Sequence, residues 1–203
     1  MKKVLIDGTV GAGKTTCILG VSSADRNGVK YNCLADEGYN TPEGLIRAAL
    51  AEIKKQGVEK PMEGDLDIFF DLALEISVTM YKQADEYPIT FFERGIPYLK
   101  LLAEHRNHII SNKYYDYCVE YKYSSPVFIL APISSFDMRA PVPGEEPTKI
   151  YTLEQRFAEN KKLICIYQEL GYEVIEVPVF TENNIGENNT KRIKLIKKCL
   201  GLS

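Results

Sequence analysis

Short apolar runs alternate along the chain with longer stretches in which apolar residues return every three or four positions. The runs are Val4-Leu5-Ile6, Lys30 to Ala35, Ile89-Thr90-Phe91-Phe92, Val127-Phe128-Ile129-Leu130 and Tyr172 to Val177. Bounded by Gly, Pro or charge and rich in β-branched and aromatic residues, they predict buried strands, the second being the weakest. The stretches between them predict helices from Lys14 to about Ala24, Pro42 to Gln56, Leu66 to Glu86, Ile96 to about Tyr123, Leu153 to Leu170 and Asn189 to Leu200. The fourth is expected to split in two near Ser111-Asn112. Thr41 is placed as an N-cap with Pro42 in the first turn, and Gly57, Gly171 and Gly201 stand as stops.

Strands alternating with helices predict a single α/β domain over residues 1–203. Its expected form is a P-loop-type three-layer α/β/α sandwich around a mostly parallel, five-stranded sheet with right-handed crossovers. Ligands of such sheets sit beyond the carboxyl ends of the strands, so the residues following each strand carry the functional information. One stretch breaks the alternation. Ala140 to Pro147 holds three prolines and little apolar content, which suits neither a helix interior nor a central strand. It reads as a flap on the ligand side, within a lid of about 133–152.

Charge narrows the function classes. With 28 acidic and 25 basic residues the net charge is −3, which excludes a polybasic nucleic-acid wrapper. No apolar run approaches the roughly 18 residues of a membrane span, and the first apolar stretch is too short for a signal peptide, so a cytoplasmic protein is expected. The five cysteines form no CxxC pair and suggest neither zinc nor a disulfide framework. His105 and His108 share a helix face without the further ligands a metal requires.

The chemistry enters at Gly8-Thr9-Val10-Gly11-Ala12-Gly13-Lys14-Thr15, a full GxxxxGK[ST] match followed by Thr16. It follows a predicted strand and opens a predicted helix, as a phosphate-binding loop requires. The glycines let successive N–H groups turn inward, and the helix start adds its positive end. Lys14 would reach the β- and γ-phosphates of ATP, and the Thr15 hydroxyl would hold Mg²⁺. Other strand ends supply more: Asp36-Glu37-Gly38, Glu93-Arg94-Gly95, then Asp137 and Arg139 before the flap, with Lys149 and Arg156 beyond it. Phosphoryl transfer needs a metal, a group to orient the acceptor hydroxyl, and cations for the transferred phosphoryl, and each has a candidate here.

The glycine-rich start, Phe91-Phe92-Glu93-Arg94-Gly95-Ile96-Pro97, Val127-Phe128-Ile129-Leu130-Ala131-Pro132, Leu153-Glu154-Gln155-Arg156-Phe157 and Tyr167-Gln168-Glu169-Leu170-Gly171-Tyr172-Glu173-Val174 occur in order. Together they resemble the NadR-like group of P-loop ATPase/kinase domains, similar to ribosylnicotinamide kinase domains, over about residues 2–178. The resemblance implies that Glu93 sits near the metal, through water, with Arg94 beside the phosphates. It implies that Glu37, or its neighbour Asp36, orients the acceptor hydroxyl, and that Arg139 and Arg156 are lid arginines. The chain departs from the group's Asp-Arg-Gly by carrying Glu93, which leaves open the substrate group served.

Two functions follow as expectations. One is an ATP- and Mg²⁺-dependent small-molecule kinase acting on a nucleoside or other ribose-containing hydroxyl. The other is a regulatory switch or module that binds ATP or GTP and reads out to a protein or lipid partner without metabolic phosphotransfer. For the switch, the basic segment Lys191 to Lys198 offers a contact surface, although one-sided helix packing with solvated lysines explains it more simply. The tyrosines between Tyr114 and Tyr123 likewise read as helix packing ahead of base stacking.

Overall fold

The computed structural model describes residues 1–20, 30–58, 64–134 and 152–202. Strands β1 (Lys2–Asp7), β2 (Ile89–Glu93), β3 (Ser124–Leu130) and β4 (Val174–Val177) form one sheet in the order β2-β1-β3-β4. Every pairing is parallel, with Leu5 opposite Phe92, Ile6 opposite Phe128 and Leu130 opposite Val177. The helices are α1 (Lys14–Leu19), α2 (Leu45–Lys55), α3 (Leu66–Gln83), α4 (Tyr98–His105), α5 (Lys113–Glu120), α6 (Leu153–Glu169) and α7 (Ile185–Leu200). Among the described residues, no helix is long and apolar enough to cross a membrane.

Three layers follow from the two-residue period of the strands. Leu5, Phe92, Val127 and Ile129 face a core built with α2 to α6. Val4, Ile6, Phe91, Phe128 and Leu130 face the opposite core, with Cys17, Ile18, Ile193 and Ile196 of α1 and α7. Both sheet faces are thus buried, which is why the strands read as continuous apolar runs. Leu5 and Ile6 are fully enclosed, and burial of each contributes about 1.5–3 kcal/mol.

The sheet has one strand fewer than expected, because the Lys30–Ala35 run forms none. Its main chain bonds to a helix instead: Leu34 and Ala35 donate to the Cys17 and Ile18 carbonyls of α1, each at 3.1 Å. Residues 34–38 then turn. The segment meets the sheet edge at one bridge, Asn40 opposite Thr90, where the Phe91 N–H donates to the Asn40 carbonyl at 2.9 Å. This extended edge also displaces α2, which begins at Leu45 behind Gly44 rather than at Pro42 behind Thr41.

Other boundaries answer to caps. Thr152 and Gln155 form a reciprocal capping box on α6. Asn184 caps α7, starting it four residues before the expected Asn189. The break near Ser111-Asn112 separates α4 from α5 as expected. Tyr114 and Tyr123 are buried, the latter edge-on to Phe92 and Tyr81, so these tyrosines contribute to packing.

Candidate functional site

All four strands end on one side of the sheet, so Asp7, Glu93, Leu130 and Val177 mark a single edge. The phosphate loop, residues 8–16, arches over it. Gly8 has φ +139°, and a Cβ there would lie 2.7 Å from the Leu130 carbonyl oxygen, so no other residue fits against β3. Lys14 is 5% exposed, and its Nζ donates to the Gly8 and Thr9 carbonyls at 2.9 and 2.8 Å, folding the ammonium back over the loop.

Helices packed behind the sheet brace the loop. The Thr9 N–H donates to Asn160 Oδ1 at 2.8 Å, while Asn160 Nδ2 donates to the Leu130 carbonyl at 2.9 Å. The Thr9 hydroxyl donates to Glu159 Oε2 at 2.6 Å, and Glu159 in turn meets His105 at 3.4 Å. From α7, Arg192 reaches the Ala12 carbonyl with Nη1, the Ala131 carbonyl at 2.7 Å with Nη2 and the Pro178 carbonyl at 3.0 Å with Nε.

Beneath the loop lies a buried charge network. Asp7 is fully enclosed and accepts from the Gly8 N–H at 2.8 Å and the Tyr167 hydroxyl at 2.7 Å. Burial raises its pKa, against the opposing pull of Arg94 and Lys14. Arg94 lies 3.9 Å from Asp7 Oδ1 and 4.0 Å from the Tyr98 ring centroid. Its backbone is left-handed, with φ +67°, a strained state for a side chain of this size. Gly95 follows because a Cβ there would stand 2.7 Å from the Leu5 side chain. Burial, then the charge of Arg94, pulls the Lys14 pKa down to about 7.

The front of the loop is different in kind. The Thr15 hydroxyl lies 3.0 Å from both carboxylate oxygens of Glu93, and Arg47 of α2 pairs with Glu93 Oε2 at 2.6 Å. Hydroxyl and carboxylate oxygens suit a hard cation such as Mg²⁺. Among the described residues no three His, Cys, Asp or Glu side chains gather as a protein cage. Two side-chain ligands, with the remainder left to water and phosphate, is the usual Mg²⁺ arrangement.

Lys14, Thr15, Glu93 and Arg94 are therefore brought together. Arg156 joins the rim: 3% exposed, it donates from Nη1 to the Ile133 carbonyl at 3.0 Å, and Ile133 itself donates to the Gly11 carbonyl. Glu37 is not brought to this cluster. It pairs with Lys197 near the far end of α7 at 2.7 Å, and Asp36 pairs with Lys30. The reason is the missing strand: the turn at 34–38 leaves both acids beside the last turn of α1, whose first turn bears the loop. Arg139, Asp137, Lys149 and the flap lie outside the described residues.

Asp7, Arg47, Asn160 and Arg192 carry much of the site's geometry and are not legible as motif members. An acid ending the first strand was the available signal for Asp7; the others are ordinary helix residues in sequence. One further acid lies near in sequence: the chain passes Thr90 at Asn40, and a Cβ on Gly44 would lie 3.1 Å from Glu93 Oε2, so the exposed Glu43 directly precedes a close approach to Glu93.

Known proteins place the fold. The chain is similar to the structure of deoxyadenosine kinase from M. mycoides with bound dATP, at TM-score 0.55 and 17% identity over 98% of this chain and 99% of that one. The same kinase with the products dCMP and a flexible dCDP gives 0.54 and 18%, over 98% of each chain. At such identity the likeness establishes the fold, a P-loop, nucleoside-kinase-like α/β sandwich. No curated protein matched the sequence. Residues 3–184 match AAA_28, a family described as an AAA domain, and with nearly the whole chain covered this protein belongs to that family.

Proposed function

We propose that the protein is an ATP- and Mg²⁺-dependent phosphotransferase acting on a hydroxyl of a nucleoside or related ribose compound. The observation that carries this reading is the Thr15 hydroxyl set 3.0 Å from the Glu93 carboxylate beside the buried Lys14. An oxygen pair suited to a cation beside a buried lysine supplies the metal and phosphate-binding parts that phosphoryl transfer needs.

In this reading Thr15 and Glu93 would hold Mg²⁺, which would neutralise charge on the β- and γ-phosphate oxygens. Lys14 would leave the Gly8 and Thr9 carbonyls for the phosphates, regaining its full positive charge as it meets them. Arg94 stands under the same region, and Arg156, with Arg139, would close over the γ-phosphoryl. The acceptor oxygen would bond to the γ-phosphorus as the bond to the β–γ bridging oxygen breaks. ADP leaves, and the acceptor's proton passes to a carboxylate. The path of the chain supports Glu43 ahead of Glu37 or Asp36 for that carboxylate, since the next residue, Gly44, approaches Glu93 while Glu37 pairs with Lys197. A nucleoside acceptor is supported by the fold shared with deoxyadenosine kinase and by the NadR-like motif order.

The switch reading draws no support from α7 as a membrane surface. Its apolar residues Ile193, Ile196 and Leu200 are spent on the core. The test is ADP release from ATP and Mg²⁺ with and without a panel of nucleosides. Release that depends on the acceptor is expected. Tight nucleotide binding with no acceptor dependence would overturn the transferase.

A further inference from the structure

A phosphate loop works only if its peptide planes are turned so that N–H groups face inward, and glycine-rich chain does not hold such planes unaided. Most carbonyls of this loop are engaged. Lys14 takes those of Gly8 and Thr9, the Ile133 N–H takes that of Gly11, and the Cys17 N–H takes that of Gly13. The Ala12 carbonyl goes to a side chain 180 positions away, Arg192 of α7. In a trans peptide the C=O and the following N–H point to opposite sides. The Ala12–Gly13 bond is trans. Fixing the Ala12 carbonyl toward Arg192 therefore turns the Gly13 N–H away from it. Among the described residues that N–H has no other partner.

We infer that Arg192 is a positioning residue for polyphosphate binding, fixing the Ala12–Gly13 peptide plane so that the Gly13 N–H is presented to phosphate. The inference rests on the reading of residues 8–16 as a phosphate site. Three observations carry it. Arg192 is 1% exposed, so it is a built-in part of the loop's wall rather than a surface cation. Its two terminal nitrogens tie the loop to the carbonyl of Ala131 just past β3, and Nε ties it to Pro178 just past β4, so one planar fork registers three pieces of chain against each other. Gly13 sits at φ +82°, and a Cβ there would come within 3.4 Å of Arg192 Nη1, so the plane and the arginine are in direct contact. Burial holds the Arg192 pKa down to about 10, which leaves it protonated at neutral pH and able to donate from all three nitrogens. A lysine would keep the charge yet could not reach three carbonyls at once.

The test measures the affinity of inorganic tripolyphosphate and of ATP, with Mg²⁺, for the wild type and for Arg192→Lys, Arg192→Gln and Asn188→Ala. Asn188 is also buried on α7 but accepts from the Phe180 N–H, away from the loop. All measurements are made well below each variant's Tm. Arg192→Gln is expected to weaken both ligands at least tenfold and by similar factors, with Arg192→Lys intermediate. Asn188→Ala is expected to lower Tm while keeping tripolyphosphate affinity within twofold of wild type. If Arg192→Gln does not fold, Arg192→Lys decides, together with the amide resonance of Gly13, which should shift in that variant before any ligand is added. Tripolyphosphate binding by Arg192→Lys and Arg192→Gln within twofold of wild type would overturn the inference. So would an equal loss in Asn188→Ala, since α7 docking would then account for everything. Failure of the wild type to bind either ligand would instead remove the phosphate-site reading itself.

Discussion

The back and the front of the phosphate loop are built on opposite principles. At the back, Asp7, Asn160, Tyr167 and Arg192 are all at most 5% exposed, and Asp7, Asn160 and Arg192 all bond to main chain, with Tyr167 holding Asp7. At the front, Thr15, Glu93 and Arg47 meet side chain to side chain, and Arg47 is about half exposed. Buried polar groups are costly when unpaired, so the back is a fixed network whose product is geometry. The front can exchange partners with a ligand at little cost. Lys14 belongs to both, bonded to loop carbonyls now yet carrying the charge that a phosphate would claim.

The largest effect is expected where the two regions meet. Lys14→Ala should reduce ATP turnover by on the order of 10³ or more, with the circular dichroism spectrum retained; unchanged turnover would remove the mechanism. Next comes the front. Glu93→Gln should weaken the apparent Mg²⁺ affinity in turnover assays by about 10–100-fold, while metal-free nucleotide binding changes little. At the back, Asn160→Ala leaves the Thr9 N–H and the Leu130 carbonyl without their partner. It should cost about 1–3 kcal/mol in denaturant unfolding and leave the Mg²⁺ dependence as in the parent. A shifted Mg²⁺ optimum in that variant would erase the distinction between the two regions.

A subtler consequence follows from Lys14. Its folded pKa is about 7 against an ordinary 10.5, so between those values the unfolded chain binds more protons than the native protein. Through this group, ligand-free stability rises with pH from about 7 to about 10.5, and stability falls as pH drops back through that window. A bound triphosphate reverses the shift. Nucleotide binding near pH 8 should then take up a fraction of a proton, up to about one, read by calorimetry in buffers of different ionisation enthalpy. Zero uptake would place the ammonium outside the phosphate site. The smallest effect is expected at Glu37→Gln, which breaks a partly exposed pair with Lys197. It should cost at most about 1 kcal/mol and leave transfer intact, whereas Glu43→Gln should slow it. The opposite ranking would return the acceptor role to Glu37.

The loop, the four strands, the split between α4 and α5 and the Glu-Arg pair were legible because each rests on local pattern. Apolar periodicity reports burial, and glycine spacing reports backbone angles. Lys30–Ala35 misled because its apolar residues are buried as expected, but against α1, and periodicity does not say which main-chain groups accept the hydrogen bonds. That one difference left Glu37 beside the last turn of α1, away from the loop at its first turn.

What the amino-acid order determined by itself is the glycine-rich curl at residues 8–16 and a layered α/β domain to carry it, since both follow from interactions within a few residues. What only the tertiary structure decided is which distant side chains hold that curl in shape. Arg192 and Asn160 look like any polar helix residues until the chain folds, because the loop groups they hold, the Ala12 carbonyl and the Thr9 amide, lie 180 and 151 residues away, and main chain has no sequence.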